Sequence, residues 1–199
     1  MAFGALMVMT AALGLPTGGA TCSYDAATAT VQAQMLSAHV VVANAGDGRI
    51  LVDGRPCATV AQTRQIVVAS AFPPAADTVT VDERRGRLAD PVTGRRPTLF
   101  ALTGAGGDTM EVIGTAGRDR YVARDDVGAS IDLDADGDPD FVSTDVGRVV
   151  LRGMGGDDVL SDARSGRDRV ACGPGFDTVR AGSGDTVTGC ERSLPRRHP

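Results

Sequence analysis

The sequence predicts an all-β chain whose C-terminal half is a parallel β-solenoid, preceded by short β-strands and hairpins. Three observations lead there. The 199 residues include 26 Gly, and the 25 acids divide into 22 Asp and only three Glu (Glu83, Glu111, Glu191). Asp and Gly are poor helix formers and good turn formers. Short aliphatic runs alternate with turn residues along the chain, as strands of a turn-rich protein do. Beyond Leu99, a Gly-Asp-aliphatic signature recurs at short, regular intervals. Aromatics are 4% and Trp is absent, which excludes a core built on large rings. All 20 basic residues are Arg, and the formal charge of −5 is mild. A nucleic-acid partner is therefore not expected.

Residues 1–20 read MAFGALMVMTAALGLPTGGA. They carry no charge, are apolar from Phe3 to Leu15, break at Pro16, and put Gly18 and Ala20 at the −3 and −1 positions of a cut. That is a signal-peptide pattern, although it lacks a basic n-region. The run is short for a bilayer span. A secreted, extracellular chain starting at Thr21 is expected, with no membrane contact after cleavage.

The four cysteines, Cys22, Cys57, Cys172 and Cys190, fall in two distant pairs. No CxxC occurs, and only His39 and His198 could join them, so a zinc site is poorly supported. In an exported chain disulfides are the natural reading, with four buried thiols as the alternative. Three pairings are possible, and Cys22–Cys57 with Cys172–Cys190 closes the shortest loops.

From residue 21 to 98 the chain reads as an N-terminal β region. Strands are expected at Thr28-Ala-Thr-Val-Gln, His39-Val-Val-Val-Ala, Arg49-Ile-Leu-Val, Gln65-Ile-Val-Val and Thr78-Val-Thr-Val, with turns at Gly46-Asp47-Gly48 and Asp53-Gly54. Phe72-Pro-Pro is a break. Residues 82–98, with Gly86, Pro91, Gly94 and Pro97, read as an exposed loop. Residues 99–191 carry the repeats, and 192–199 read as a flexible tail.

Gly156-Asp-Asp-Val-Leu, Gly166-Arg-Asp-Arg-Val, Gly175-Phe-Asp-Thr-Val and Ser183-Gly-Asp-Thr-Val share one form. Their Asp residues, Asp158, Asp168, Asp177 and Asp185, are spaced by 10, 9 and 8. Asp119 belongs to an earlier copy, and Asp108 and Asp77 to weaker echoes. The pattern matches G-G-x-G-x-D-x-U-x, a calcium-binding solenoid unit. Gly permits the tight turn, carbonyls and Asp supply hard oxygens, and the aliphatic residue faces the core. Two nonapeptides make one coil. Asp158 and Asp177 then line one edge, and Asp168 and Asp185 the other.

The repeats resemble the hemolysin-type (RTX) calcium-binding repeat, and more closely the secreted actinobacterial proteins built on it. Four features carry the resemblance: Ala20-Thr-Cys-Ser-Tyr-Asp, Ile50-Leu-Val-Asp-Gly-Arg-Pro-Cys57, Gly114-Thr-Ala-Gly, and Asp185-Thr-Val-Thr-Gly-Cys-Glu191. The resemblance implies a right-handed parallel β-roll with calcium as cofactor. Its candidate ligands are Gly153, Gly155, Gly156, Asp158, Gly166, Asp168, Gly175, Asp177 and Asp185. Cys172 and Cys190, 18 residues apart, would lie one coil apart and staple the last coil.

The departures are informative. Asp162-Ala-Arg-Ser lacks the leading glycines of its repeat, and Arg164, Arg167 and Arg169 put positive charge beside the second edge. In a rival reading, the Asp residues only bond nearby N–H groups in turns. Ile131-Asp-Leu-Asp-Ala-Asp-Gly-Asp-Pro-Asp140 begins like an EF-hand loop, but Ser143 stands where the closing acid belongs. The resemblance implies a turn between strands here, either one that binds calcium weakly at the strand end or a solvated acidic hairpin, and Asp140 could extend the first edge. No Ser/His/Asp set, P-loop or H-E-x-x-H is present, so no enzyme is expected. The alternatives to a calcium-binding solenoid are an extracellular adhesion or interaction module with vestigial metal sites, or a carbohydrate-active β-helix. Either brings a protein or polysaccharide partner.

Overall fold

The computed structural model describes residues 19–71, 76–125 and 128–194. Most of the expected signal peptide, the Phe72-Pro-Pro break and the end of the tail lie outside these residues. Within them the chain is all-β, with no helix. The first strands are β1 (Ala20–Asp25), β2 (Thr30–Met35), β3 (His39–Asn44), β4 (Arg49–Val52), β5 (Arg55–Thr59) and β6 (Gln65–Ser70). Next come β7 (Thr78–Asp82), β8 (Thr98–Leu102), β9 (Asp108–Ile113), β10 (Arg120–Arg124), β11 (Ala129–Asp132) and β12 (Phe141–Ser143). The last are β13 (Val146–Arg152), β14 (Val159–Asp162), β15 (Arg169–Ala171), β16 (Thr178–Arg180), β17 (Thr186–Thr188) and β18 (Arg192–Ser193).

A ten-stranded sheet runs β1-β2-β6-β8-β12-β11-β10-β14-β16-β18, and an eight-stranded sheet runs β17-β15-β13-β9-β7-β3-β4-β5. From β13 onward successive strands alternate between the sheets, and each pairs in parallel with the strand two places on. Each short strand then turns one aliphatic residue inward. In the eight-stranded sheet these residues form a row in register: Val42, Val81, Val112, Leu151, Val170 and Val187. The first five are buried, while Val187 at the open end is 39% exposed. Each buried Val or Leu contributes about 1.5–3 kcal/mol.

The sheets are mixed rather than wholly parallel. β1–β2, β3–β4 and β4–β5 are antiparallel hairpins in the N-terminal region. In the C-terminal half β10 pairs antiparallel with β11, and β11 with β12. Between β11 and β12 the chain doubles back because the acidic segment after Ile131 forms a tight turn. Asp132 Oδ1 accepts the Ala135 N–H at 2.5 Å and Oδ2 accepts the Gly137 N–H at 3.0 Å.

Two further expectations need adjusting. The segment 82–98 does connect β7 and β8 without a strand of its own, but it is not uniformly exposed. Glu83 is fully buried and accepts the Leu88 N–H (2.6 Å), Arg96 (2.6 Å) and the Tyr121 hydroxyl (3.1 Å). This network draws the segment against the end of the coil. Burial, then the neighbouring Glu83 charge, pushes the Tyr121 hydroxyl up, so it stays a donor. The tail also starts later than residue 192, since Arg192 and Ser193 pair with β16.

Both disulfides follow the local pairing. Cys22–Cys57 has its Cα atoms 5.9 Å apart and ties β1 to β5 across the two sheets. Cys172–Cys190, with Cα atoms 5.2 Å apart, joins neighbouring coils.

Candidate metal centre

The turns between the sheets make two edges, and both carry ladders of acids. On the first edge, Asp119, Asp158, Asp177 and Glu191 each immediately precede a strand of the ten-stranded sheet. The Asp119 N–H donates to Asp158 Oδ1 (2.8 Å), the Asp158 N–H to Asp177 Oδ1 (2.7 Å), and the Asp177 N–H to Glu191 Oε2 (2.8 Å). A buried backbone N–H must find an acceptor, and the acid of the next coil supplies a charged one.

The second edge leads into the eight-stranded sheet. The Asp77 N–H donates to Asp108 Oδ1 at 2.9 Å. The irregularity at Val146/Arg148 in β13 interrupts the ladder. It resumes with the Val149 N–H on Asp168 Oδ1 (2.7 Å) and the Asp168 N–H on Asp185 Oδ1 (3.1 Å). Asp158 and Asp177 thus share one edge and Asp168 and Asp185 the other, as the nine-residue period predicts. Of the fainter copies, Asp108 lends its carboxylate to the Asp77 N–H, while Asp77 and Asp119 join the ladders through their N–H groups, the Asp119 carboxylate accepting the Thr115 N–H at 2.6 Å. Asp140 is not: its Oδ2 accepts the Leu133 N–H at 2.8 Å, inside its own turn.

The glycines let coils stack backbone to backbone. A methyl on Gly153 would strike Asp158 Oδ2 and the Cys172 carbonyl, and one on Gly175 would strike the Gly156 carbonyl. Gly156 and Gly166 also adopt positive φ, +104° and +150°. Gly155 has neither constraint.

The ladders leave one oxygen of several acids unused. Oδ2 of Asp77, Asp108, Asp158, Asp168 and Asp177 is buried with no hydrogen-bond partner. On the first edge no third acid joins Asp158 and Asp177 within ligand distance, among the described residues. The second edge differs. Asp162, at the end of β14, points inward, and one oxygen each of Asp162, Asp168 and Asp185 lies within 4.8 Å of the others. Asp162 Oδ2 is likewise buried and unpaired. Burial, reinforced by the Asp168 and Asp185 charges, pushes the Asp162 carboxyl up to about 7. Asp158 rises to about 6, mainly through burial, with help from Asp119 and Asp177.

Asp162 is not among the ligands expected from the repeat, because it stands where the repeat's leading glycines are missing. The signal that could have found it is the alternation within β14: Leu160 faces the core, so the residue two further on must as well. Of the three flagged arginines, only Arg164 enters the site. Arg167 and Arg169 are exposed.

Another acid group, Asp132, Asp134 and Asp136, also brings carboxylate oxygens within 4.8 Å of one another. Both Asp132 oxygens are occupied by backbone N–H groups, and Arg124 adds a contact at 3.2 Å. Arg96 lies 3.5 Å from Asp134. A cleft of about 530 Å³ beside this turn gathers Arg87, Arg96, Asp47 and Asp90. Each of these is engaged internally: Arg96 with Glu83, Arg87 with Asp119, Asp47 with Arg49, and Asp90 with the N–H groups of Val92 and Thr93.

His39 contacts Thr80 Oγ1 at 3.0 Å, and Thr80 donates to Glu111 at 3.0 Å. Thr80 is 1% exposed, which withholds its hydroxyl from any substrate. His198 lies outside the described residues.

A metal at this edge must fit the donors present. Calcium is a hard cation that takes six to eight oxygens. In the Asp162–Asp168–Asp185 pocket three carboxylates converge; Asp162 and Asp168 each keep an unpaired buried oxygen, while the Asp185 oxygens also accept the Asp168 and Gly182 N–H groups, so the donor type fits. The Asp158/Asp177 pair also keeps two unpaired buried oxygens, but among the described residues no third acid converges on it, so it fits less well. Comparison with family models, with curated proteins and with solved structures gave no match to this chain.

Proposed function

We propose that this chain is a secreted calcium-binding β-solenoid of RTX-like type, in which calcium orders the turns of the second edge. One observation carries the reading: Asp162, Asp168 and Asp185 converge, and the two buried ones, Asp162 and Asp168, each keep an oxygen with no partner. Asp162, Asp168 and Asp185 would hold the ion, whose two positive charges would offset their mutual repulsion. The Asp158 and Asp177 ladder serves mainly as a backbone device. The two disulfides fit an oxidising compartment, which supports export.

A second reading has its own support. The Oδ1 atoms of Asp158, Asp168 and Asp177 accept backbone N–H groups, as expected of an adhesion or interaction module with vestigial metal sites. Thermal melts of the whole exported chain separate the two. In the calcium reading, calcium raises the midpoint above its value in chelator and magnesium does so less. Identical melts in chelator and calcium would leave the second reading. N-terminal sequencing of exported protein checks location: a start at or near Thr21 supports export, and a retained Met1 on cytoplasmic protein overturns it.

A further inference from the structure

The acidic pocket contains its own positive charge. The Arg164 side chain is 7% exposed. Its Nε lies 2.8 Å from Asp125 Oδ1, its Nη1 3.4 Å from Asp168 Oδ1, and its Nη2 donates to the Val146 carbonyl at 3.1 Å. Asp125 is in turn fixed by the N–H and hydroxyl of Ser165, at 2.8 and 2.9 Å. The guanidinium is therefore held from three directions: by the residue after β10, by its own turn and by the start of β13.

A guanidinium in such a place stays charged. The pocket thus combines three carboxylates with one fixed positive charge, which Asp125 shares from the outer side. Two effects of that charge oppose each other. When no metal is bound, Arg164 offsets part of the repulsion among Asp162, Asp168 and Asp185. When calcium arrives, the same charge repels it over a few ångströms of poorly screened protein.

We propose that Arg164 is a built-in counter-cation that sets the calcium threshold of the Asp162–Asp168–Asp185 pocket. It holds the turn together when calcium is scarce. It also confines binding to the weak range of about 10⁻⁴–10⁻³ M typical of extracellular modules. This inference rests on the calcium reading above.

The test uses the whole exported chain as wild type, Arg164→Gln and Arg164→Lys, with calcium affinity from calorimetry and melting midpoints in chelator and in millimolar calcium. Arg164→Gln should bind calcium at least about tenfold more tightly, since a neighbouring positive charge is gone. It should melt below wild type in chelator and no lower than wild type in calcium. Arg164→Lys keeps the charge and should stay within about threefold of wild-type affinity. If wild type binds calcium and Arg164→Gln binds no tighter, the threshold role is overturned and the calcium reading stands. An Arg164→Gln chain that stays unfolded even in calcium also overturns it, because calcium should replace the missing charge. If no form binds calcium, the calcium reading fails and the threshold role fails with it.

Discussion

On the first edge, Asp158, Asp177 and Glu191 each accept a backbone N–H from the preceding coil, and among the described residues no third acid gathers beside Asp158 and Asp177. On the second edge, Asp168 and Asp185 make the same bonds, but Asp162 enters from β14 and Arg164 follows it in. The same turn motif therefore does different work in the two places. Where only the motif residue is present, the acid behaves as a backbone cap. Where an inward acid from the strand before it is added, charge accumulates beyond what N–H groups can absorb. A cation, a proton or an arginine must then balance it.

The strongest way to break this contrast is to unfasten the first edge. Replacing Cys172 and Cys190 together by Ser opens an 18-residue closure and should cost about 3 kcal/mol. Urea unfolding should show the same loss in chelator and in calcium. A smaller loss is expected from Asp177→Ala, which strips the Asp158 N–H of its acceptor. The expected cost is about 1–3 kcal/mol, again independent of calcium, and Asp177→Asn should recover most of it. A loss that calcium repairs would mean that the first edge also holds the ion.

On the second edge the sign reverses. The Asp162 carboxyl, raised from 3.8 to about 7, holds its proton more tightly in the folded chain than in the unfolded one. Such a group contributes stability that is complete below the unfolded value and is lost as pH rises through the folded value. In chelator, the wild-type midpoint should therefore fall from about pH 4 and level off above about pH 7, so that it is lower at about pH 8 than at about pH 5. Asp158, raised to about 6, adds to the early part of that fall. Asp162→Asn removes a buried charge and should stabilise the metal-free chain at pH 8, by on the order of 1–2 kcal/mol. Melts at both pH values check this, and a destabilised Asp162→Asn chain at pH 8 would contradict it.

Local patterns made much of this legible in the sequence. Arg49-Ile-Leu-Val and Thr78-Val-Thr-Val are strands because branched aliphatics alternate between turn residues. The first expected strand starts later than read, at Thr30, because Ala29 takes a φ of +54° in the turn. The nine-residue period placed Asp158 with Asp177 and Asp168 with Asp185, since stacking in register follows from repeat length. What escaped depends on contacts between distant residues. Nothing near Glu83 announces that Tyr121 and Arg96 will bury it. The β11–β12 reversal follows from how the chain closes an acidic turn, not from a strand signal. Asp162 was obscured by the template itself, because it fits the strand period and not the repeat.

The most direct test compares calcium-dependent stabilisation of wild type with that of Asp162→Asn and Asp177→Asn at about pH 8, where the acids are ionised. The account predicts that calcium raises the midpoint of wild type and of Asp177→Asn by similar amounts and leaves Asp162→Asn unmoved. If calcium shifts Asp162→Asn as far as wild type, or if Asp177→Asn alone loses the shift, the ion does not sit on the second edge and the division between the two edges is wrong.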